Sequence, residues 1–343
     1  MKELVCRMDK IVKEKISVVI PCFNSEKLIA ELVYAAETLI KEDGRYEYEM
    51  ILVNDGSKDG TWNILKDLAE KNSRIISINL AKNFGQHNAL MAAYRCVTGD
   101  IIVGMDDDGE HDPADMFCLI NELVDQKYDY VCASYRGNKK KSIFRNFGTM
   151  VNNRMSEILI GKPEDFMFSS YYAVRRFVID QIITCQNPYP YIAGLVLQAA
   201  GSLGMVELEK HERRYGHSGY NIKKLLRLWL NGFTAFSVKP LRIATILGII
   251  AAISGFFYGC VIIAKKLISP EEIMPGYSSV ISVILLLGGI LMIILGLIGE
   301  YIGRIYININ GLPQYVIREK LDYRNMEVQN REKAKSIDLD YGG

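Results

Sequence analysis

No Cys-x-x-Cys pair occurs in the 343 residues, and the seven cysteines (Cys6, Cys22, Cys96, Cys118, Cys132, Cys185, Cys260) are odd in number and without pattern. That argues against a disulfide framework and for a reducing compartment, where a buried thiol is a small core residue. Histidine is scarce too. His87, His111, His211 and His217 include no His-x₃-His pair on a helix face, which speaks against a zinc site. Charge of one sign is missing as well: the net charge is +1, so no general polyanion binder and no nucleic-acid partner is indicated. The stretch from Met1 to Lys15 is charged and has no long apolar core, so it does not read as a secretory signal.

What is present is uneven. Ile243 to Ala264 and Tyr277 to Gly299 contain no charged residue, and each is the length of a helical bilayer span. Two such stretches in succession predict a membrane hairpin. Lys223, Lys224, Arg227, Lys239 and Arg242 precede the first, and Arg304, Arg318, Lys320 and Arg324 follow the second. The intervening loop has only Lys265 and Lys266, balanced by Glu271 and Glu272. The positive-inside rule then puts both ends in the cytoplasm, making a multi-pass protein of the cell membrane with a cytoplasmic N-terminal domain. Ahead of the first span, Ile222, Leu225, Leu226, Trp229, Leu230, Phe233 and Phe236 recur at helical spacing, opposite Lys223, Lys224 and Arg227. This predicts a basic amphipathic helix lying in the membrane interface, with a core helix of the soluble domain as the alternative.

Upstream, apolar runs alternate with helical periodicity. Strands are predicted over Ile16–Ile20, Met50–Val53, Ile75–Leu80, Ile101–Met105 and Tyr130–Ser134. Between them, helices are expected from Leu28 past Leu39 (capped by Asn24 or Ser25), over Trp62–Lys71, over Gln86–Val97, and from Asp112-Pro113 to about Gln126. Short connections and nearly all-apolar strands imply an α/β domain with a largely parallel sheet, covered by helices on both faces. Ligands of such sheets sit outside the carboxyl ends of the strands. Those ends carry Pro21-Cys22-Phe23-Asn24, Asn54-Asp55-Gly56-Ser57 and Asp106-Asp107-Asp108. Three adjacent carboxylates repel one another, and Mg²⁺ or Mn²⁺ offsets this most simply, held by one or two carboxylates and substrate phosphates. An acidic turn on a solvated loop is the other explanation of the run by itself, but polar and acidic residues at three successive strand ends form one cleft. Past it, Arg136, Lys139, Lys140, Lys141 and Arg145 form a basic run before a helix expected over Phe147–Ile160. That run reads as a solvated face or as a phosphate or anionic-lipid contact.

Val18-Val19-Ile20-Pro21-Cys22-Phe23-Asn24-Ser25-Glu26, Val53-Asn54-Asp55-Gly56-Ser57-Lys58-Asp59-Gly60-Thr61 and Met105-Asp106-Asp107-Asp108 together resemble the family 2 glycosyltransferases. Arg213-Arg214-Tyr215-Gly216-His217-Ser218-Gly219-Tyr220, Phe236-Ser237-x-x-Pro240-Leu241-Arg242 and Gly299-Glu300-Tyr301-Ile302-Gly303-Arg304 are similar to motifs of the branch that glycosylates polyprenyl phosphates. The resemblance covers about Ile16 to Arg318. It implies a GT-A fold over 1–220, an interfacial helix over 221–240, a transmembrane hairpin over 241–303 and a cytoplasmic tail over 304–343. It implies inverting transfer from a nucleotide sugar, taken as a UDP-sugar, to a polyprenyl phosphate. The product would be a polyprenyl-phosphate sugar for cell-envelope glycan modification. Membrane hairpins of this branch often pack as homo-oligomers.

The resemblance also implies roles. Pro21, Phe23, Glu26 and Asp55 would hold base and ribose. Asp106 and Asp108 would be the catalytic Asp-x-Asp pair and both metal ligands, Asp106 towards the nucleotide and Asp108 on the metal, with Asp107 as a spacer turned to the donor. Arg136, Arg145 and Arg213 would contact phosphates, Arg213 at the reaction centre, and Ser218 belongs to the acceptor motif. Three positions depart from the pattern. Glu110 stands where a glutamine neighbour of the metal is usual and would make a third metal ligand. Tyr171-Tyr172 replaces a Phe-Arg dipeptide, with Arg175, Arg176 or Arg145 as candidates for the missing contact. Gly219 replaces the lysine of the Arg-x-x-Gly-x-Ser-Lys motif. Transfer to a carbohydrate hydroxyl, with Asp165 as base, and a non-catalytic sugar-nucleotide scaffold are the alternatives.

Overall fold

The structure, a computed structural model, describes residues 14–135, 166–209, 276–309 and 312–324, with isolated positions elsewhere. The basic run after Tyr135, the 147–160 segment, Asp165, the Arg213–Ser218 motif, the amphipathic 222–236 segment and most of the first expected span lie outside the described residues.

All five expected strands are present: β1 (Lys15–Cys22), β2 (Glu47–Asn54), β3 (Ile75–Leu80), β4 (Ile101–Gly104) and β5 (Tyr130–Tyr135). So are the helices between them: α1 (Ile29–Asp43), α2 (Thr61–Lys71), α3 (Gln86–Tyr94) and α4 (Met116–Asp125). Three further strands complete an eight-stranded sheet: β6 (Tyr172–Arg175), β7 (Leu203–Leu208) and β8 (Ile317–Leu321), in the order β7-β5-β6-β4-β1-β2-β3-β8. The β3-β2-β1-β4 centre is parallel, as is β5-β7, whereas β6 runs antiparallel between β4 and β5 and β8 antiparallel on β3.

Alternation along each central strand feeds two cores. Val18, Ile20, Met50 and Leu52 pack with α1, α2 and α4 on one face. Val19, Ile51 and Val53 pack on the other with α3 and with α5 (Arg176–Ile182) and α6 (Ile192–Ala199). Burial on both faces is why these strands read as continuous apolar runs rather than alternating ones. Gly99, between α3 and β4, sits where a Cβ would lie 2.7 Å from the Lys15 carbonyl oxygen. The helix itself ends earlier, at Tyr94.

Two expectations about helix starts resolve differently. Asp112 and Pro113 do open a helical segment, the Asp112 side chain accepting from Ala114 N at 2.9 Å ahead of a short 3₁₀ turn and α4. Asn24 and Ser25 do not cap α1 through their side chains: Leu28 holds the cap position, and the Ser25 carbonyl accepts from Leu28 N and Ile29 N. Asn24 takes a left-handed conformation (φ 55°) and spends its amide on a neighbouring turn.

The chain divides into two compact units, the first comprising Met1–Gly148, Pro163–Ser218 and Pro313–Gly343, the second Thr149–Lys162 and Gly219–Leu312. The second contains α7 (Tyr277–Ile309), 33 residues long and about 50 Å at 1.5 Å per residue. As counted over the described residues, no helix is long and apolar enough to cross a membrane; several positions of α7 fall outside the described side chains.

The segment after α7 returns to the first unit. Beyond pairing β8 with β3, it places Gln314 Nε2 on the carbonyls of Cys185 and Asn187 (2.9 and 2.8 Å) and Arg324 Nη1 on Glu49 Oε2 (2.8 Å). Glu49 is only 1% exposed and also accepts from Lys15 Nζ, Ser17 Oγ and Thr98 N. Despite the penalty of burial, which pushes the other way, these donors hold its carboxyl at about 2. A lowered folded pKa contributes stability above the unfolded value of 4.5, and that contribution is lost as pH falls towards 2. We expect Glu49→Gln to cost about 3 kcal/mol near neutral pH. Chemical denaturation of both proteins at pH 7 and pH 3 checks this, the difference between them narrowing at pH 3.

Candidate active site

The carboxyl ends of β1 and β2 carry two turns that are laced together. Asn24 N donates to Ser57 Oγ (2.9 Å), Lys58 N to Asn24 Oδ1 (2.9 Å), Ser25 N to Thr61 Oγ1 (2.9 Å) and Glu26 N to Asp59 Oδ2 (3.2 Å). Glu26, expected at the nucleotide, accepts from Gly60 N at 2.7 Å and so fastens one turn to the other. Phe23, two residues after Pro21, is half exposed just past the end of β1.

Asp55 is buried at the end of β2. Its two oxygens accept from Phe84 N (2.7 Å) and Gly85 N (2.9 Å), tying the loop after β3 into the same cleft. Burial raises its pKa, with the two amides opposing the rise. The crossing is close: Gly56 has φ +66° and a Cβ there would lie 2.5 Å from Asn83 N. Only glycine fits such a left-handed, crowded position without strain.

At the end of β4 the three carboxylates diverge. Asp106 accepts from Gln86 Nε2 (2.7 Å) on one oxygen and from Ser170 Oγ on the other. Asp107 turns inward and accepts from Phe23 N at 2.8 Å, tying the acidic run to the β1 turn. Burial is the main reason its pKa rises to about 6. Asp108 Oδ1 accepts from Glu110 N (3.0 Å), closing a tight turn through Gly109 at φ +74°. Among the described residues, no group of three or more His, Cys, Asp or Glu side chains is placed to hold a metal ion. Two hard carboxylates, Asp106 and Asp108, on one half-buried turn nevertheless suit Mg²⁺ or Mn²⁺ when substrate phosphates supply the other ligands.

Four residues enter the site that sequence reasoning did not name as site residues. Gln86 and Ser170 hold Asp106; His111, 5% exposed, has Nδ1 2.7 Å from Tyr135 Oη and Nε2 3.2 Å from Ser170 Oγ. Only His111 had a signal in the sequence, its place in the acidic run; Gln86, Tyr135 and Ser170 arrive from distant strand ends. Two of the three candidates for the missing arginine, Arg175 and Arg176, fail on topology. Because β6 is antiparallel to β4, Tyr172 pairs with Gly104 at the site end and Arg175 with Ile101 at the far end. There Arg175 faces Glu14 and the Leu123 carbonyl, and Arg176 pairs with Asp180. Tyr172 packs its ring where a Gly104 side chain would be and bonds Tyr94 through its hydroxyl. Arg136, Arg145, Arg213 and Ser218 lie outside the described residues.

A mainly parallel α/β sheet with a buried aspartate notch beside an acidic turn at its strand ends is the GT-A type of glycosyltransferase. Residues 17–183 match the description Glycosyl transferase family 2, and residues 239–305 match the GtrB C-terminal hairpin. The chain is 32% identical over 325 residues to the undecaprenyl-phosphate 4-deoxy-4-formamido-L-arabinose transferase of Klebsiella pneumoniae (strain 342), covering 94% of this chain and 98% of the relative. The protein of the same name from Klebsiella pneumoniae subsp. pneumoniae is 31% identical over the same shares. Among solved structures, glucosyl-3-phosphoglycerate synthase from Mycobacterium tuberculosis with Mn²⁺, UDP-glucose and phosphoglyceric acid is similar over 65% of this chain and 78% of that one. At 20% identity and a TM-score of 0.46, that likeness is too loose to argue from. The chain belongs to the family 2 glycosyltransferases, and it is an enzyme of that class.

Asp107→Ala removes the acceptor for Phe23 N and should loosen the β1 turn. Titration of a panel of nucleoside diphosphates by calorimetry should show the affinity of whichever binds reduced about tenfold, the loss of one buried hydrogen bond. Asp107→Asn, which keeps an acceptor oxygen, should bind close to the wild type.

Proposed function

We propose that the protein transfers a sugar from a nucleotide sugar to a polyprenyl phosphate, with inversion at the anomeric carbon. The observation that carries this is the near full-length match to relatives named as undecaprenyl-phosphate sugar transferases, hairpin included. The donor is taken to be a UDP-sugar, its base and ribose against Pro21, Phe23, Glu26 and Asp55. Asp106 and Asp108 would hold Mg²⁺ or Mn²⁺, with Glu110 as a further oxygen donor. Such an ion supplies Lewis-acid neutralisation of the departing diphosphate.

The chain's own residues do the rest. A phosphomonoester's second pKa is about 6, so the acceptor oxygen is already mostly ionised at neutral pH and no general base is required. What is required is that two anions be brought together, the work assigned to Arg136, Arg145 and Arg213, with Ser218 beside the last. The two tyrosines at 171 and 172 are buried and supply no charge there. Asp107 serves the donor through the Phe23 amide it holds.

Membrane attachment is part of the same reading. Leu291, Met292 and Ile293 are consecutive in α7 and all exposed. At 100° per residue they cover most of the helix circumference, so no single packing partner accounts for them. Lipid does. With the uncharged Ile243–Ala264 stretch, this supports a two-span hairpin in the cell membrane, and the basic flanks of the two stretches favour the cytoplasmic side for the catalytic domain.

Full-length protein incubated with Mg²⁺, a panel of nucleotide sugars and undecaprenyl phosphate should yield a glycosyl phospholipid, detected by mass spectrometry. Product only on a carbohydrate hydroxyl would overturn the acceptor assignment, and no turnover with any acceptor would favour a scaffold. Glu110→Gln should retain transfer while raising the Mg²⁺ concentration needed for half-maximal rate. An unchanged metal requirement would remove Glu110 from the coordination sphere.

A further inference from the structure

We infer that His111 is a positioning residue that sets the Asp106 carboxylate through Ser170, the two forming with Tyr135 one directed hydrogen-bond chain. The inference rests on the reading of Asp106 as a donor-site carboxylate.

The direction follows from hydrogen-bonding capacity. An ionised carboxylate only accepts. Ser170 therefore gives its hydroxyl proton to Asp106 Oδ2. The Ser170 oxygen, 3.2 Å from His111 Nε2, must then accept from that nitrogen. On the other side of the ring Nδ1 meets the Tyr135 hydroxyl at 2.7 Å, a group able to donate or accept as the ring requires. Every group is satisfied in turn, and the chain ends on a carboxylate of the reaction site. His111 Nε2 is itself 3.5 Å from Asp106 Oδ2, the same oxygen that Ser170 holds.

Packing alone does not ask for this. The His111 ring lies 4.8 Å from the Tyr171 ring and 6.1 Å from that of Tyr135, contacts that a phenylalanine would also make. What a phenylalanine lacks is the pair of nitrogens, both engaged, in a side chain only 5% exposed. The chain also joins three separate parts of the cleft: the acidic turn, the end of β5 one residue before Arg136, and the loop entering β6. Tyr171 closes the frame by donating from its hydroxyl to the Asp112 carbonyl at 2.8 Å. His111 thus fixes the donor carboxylate relative to the element that leads into the basic run. Partners of this kind orient a metal-side carboxylate, and losing one typically costs 10- to 100-fold in metal affinity or activity.

The test uses full-length protein in detergent, Mn²⁺ as probe with UDP present, and electron paramagnetic resonance to read bound metal. His111→Phe and Ser170→Ala should each weaken Mn²⁺ affinity about tenfold or more, and the double variant should be no weaker than the worse single one. His111→Gln, whose amide reaches Ser170 from the Nε2 side, should restore affinity to within about threefold of the wild type. Melting temperatures taken alongside separate this from unfolding. Unchanged Mn²⁺ affinity in folded His111→Phe, or additive losses in the double variant, would overturn the inference. Should His111→Phe not fold, Ser170→Ala decides alone: wild-type affinity there overturns it. A wild-type protein that binds UDP but no Mn²⁺ overturns the donor-site reading of Asp106 instead, and the inference with it.

Discussion

Three carboxylates in succession at the end of a buried strand are tolerable only if each is given a different environment. Asp106 is turned towards α3 and the loop before β6, Asp107 inward onto the β1 turn, and Asp108 into its own glycine turn. Separation answers the repulsion that the bare sequence poses. The same separation ties together strand ends that are far apart in the chain. Asp55 does the equivalent for the loop after β3. The cleft is therefore built by its acids as much as lined by them, and its backbone amides are committed before any ligand arrives.

The opposite end of the sheet has its own carboxylate. Glu49 gathers Lys15, Ser17, Thr98 and Arg324, and by the last of these it holds the segment that follows α7. That segment enters the sheet at Ile317, beside Leu80 at the strand ends where the acidic turn lies, and leaves at the other end. Val316 O accepts from Ala81 N and Arg318 bonds the Ala81 carbonyl, next to the loop that serves Asp55. Residues 314–324 are thus part of the frame of the first unit, next to the loop that Asp55 holds.

The strands and helices of residues 15–135 were legible because period and punctuation agree there. Apolar runs of strand length alternate with helical spacing, and Pro21, Gly99 and Asp112-Pro113 mark the ends. β6, β7 and β8 were not legible. Tyr172–Arg175 is four residues long and the exposed edges β7 and β8 have mixed patterns, so nothing local announces a strand. Without β6, Arg175 and Arg176 read as candidates for the acceptor contact. An antiparallel strand carries those residues away from the site with every step.

By itself the sequence determined the sheet's parallel centre, the two uncharged stretches, and which strand ends carry acid and glycine. These are properties of short segments, set by burial, hydropathy and backbone sterics. The tertiary structure alone decided what each acid touches. The sequence placed His111 next to the carboxylates but said nothing of Tyr135 and Ser170, which lie 24 and 59 residues away. Hydrogen bonds of that kind depend on angles and distances between elements brought together by folding, and no spacing along the chain encodes them. The acidic run with which the cleft begins is thus local in origin and tertiary in its meaning.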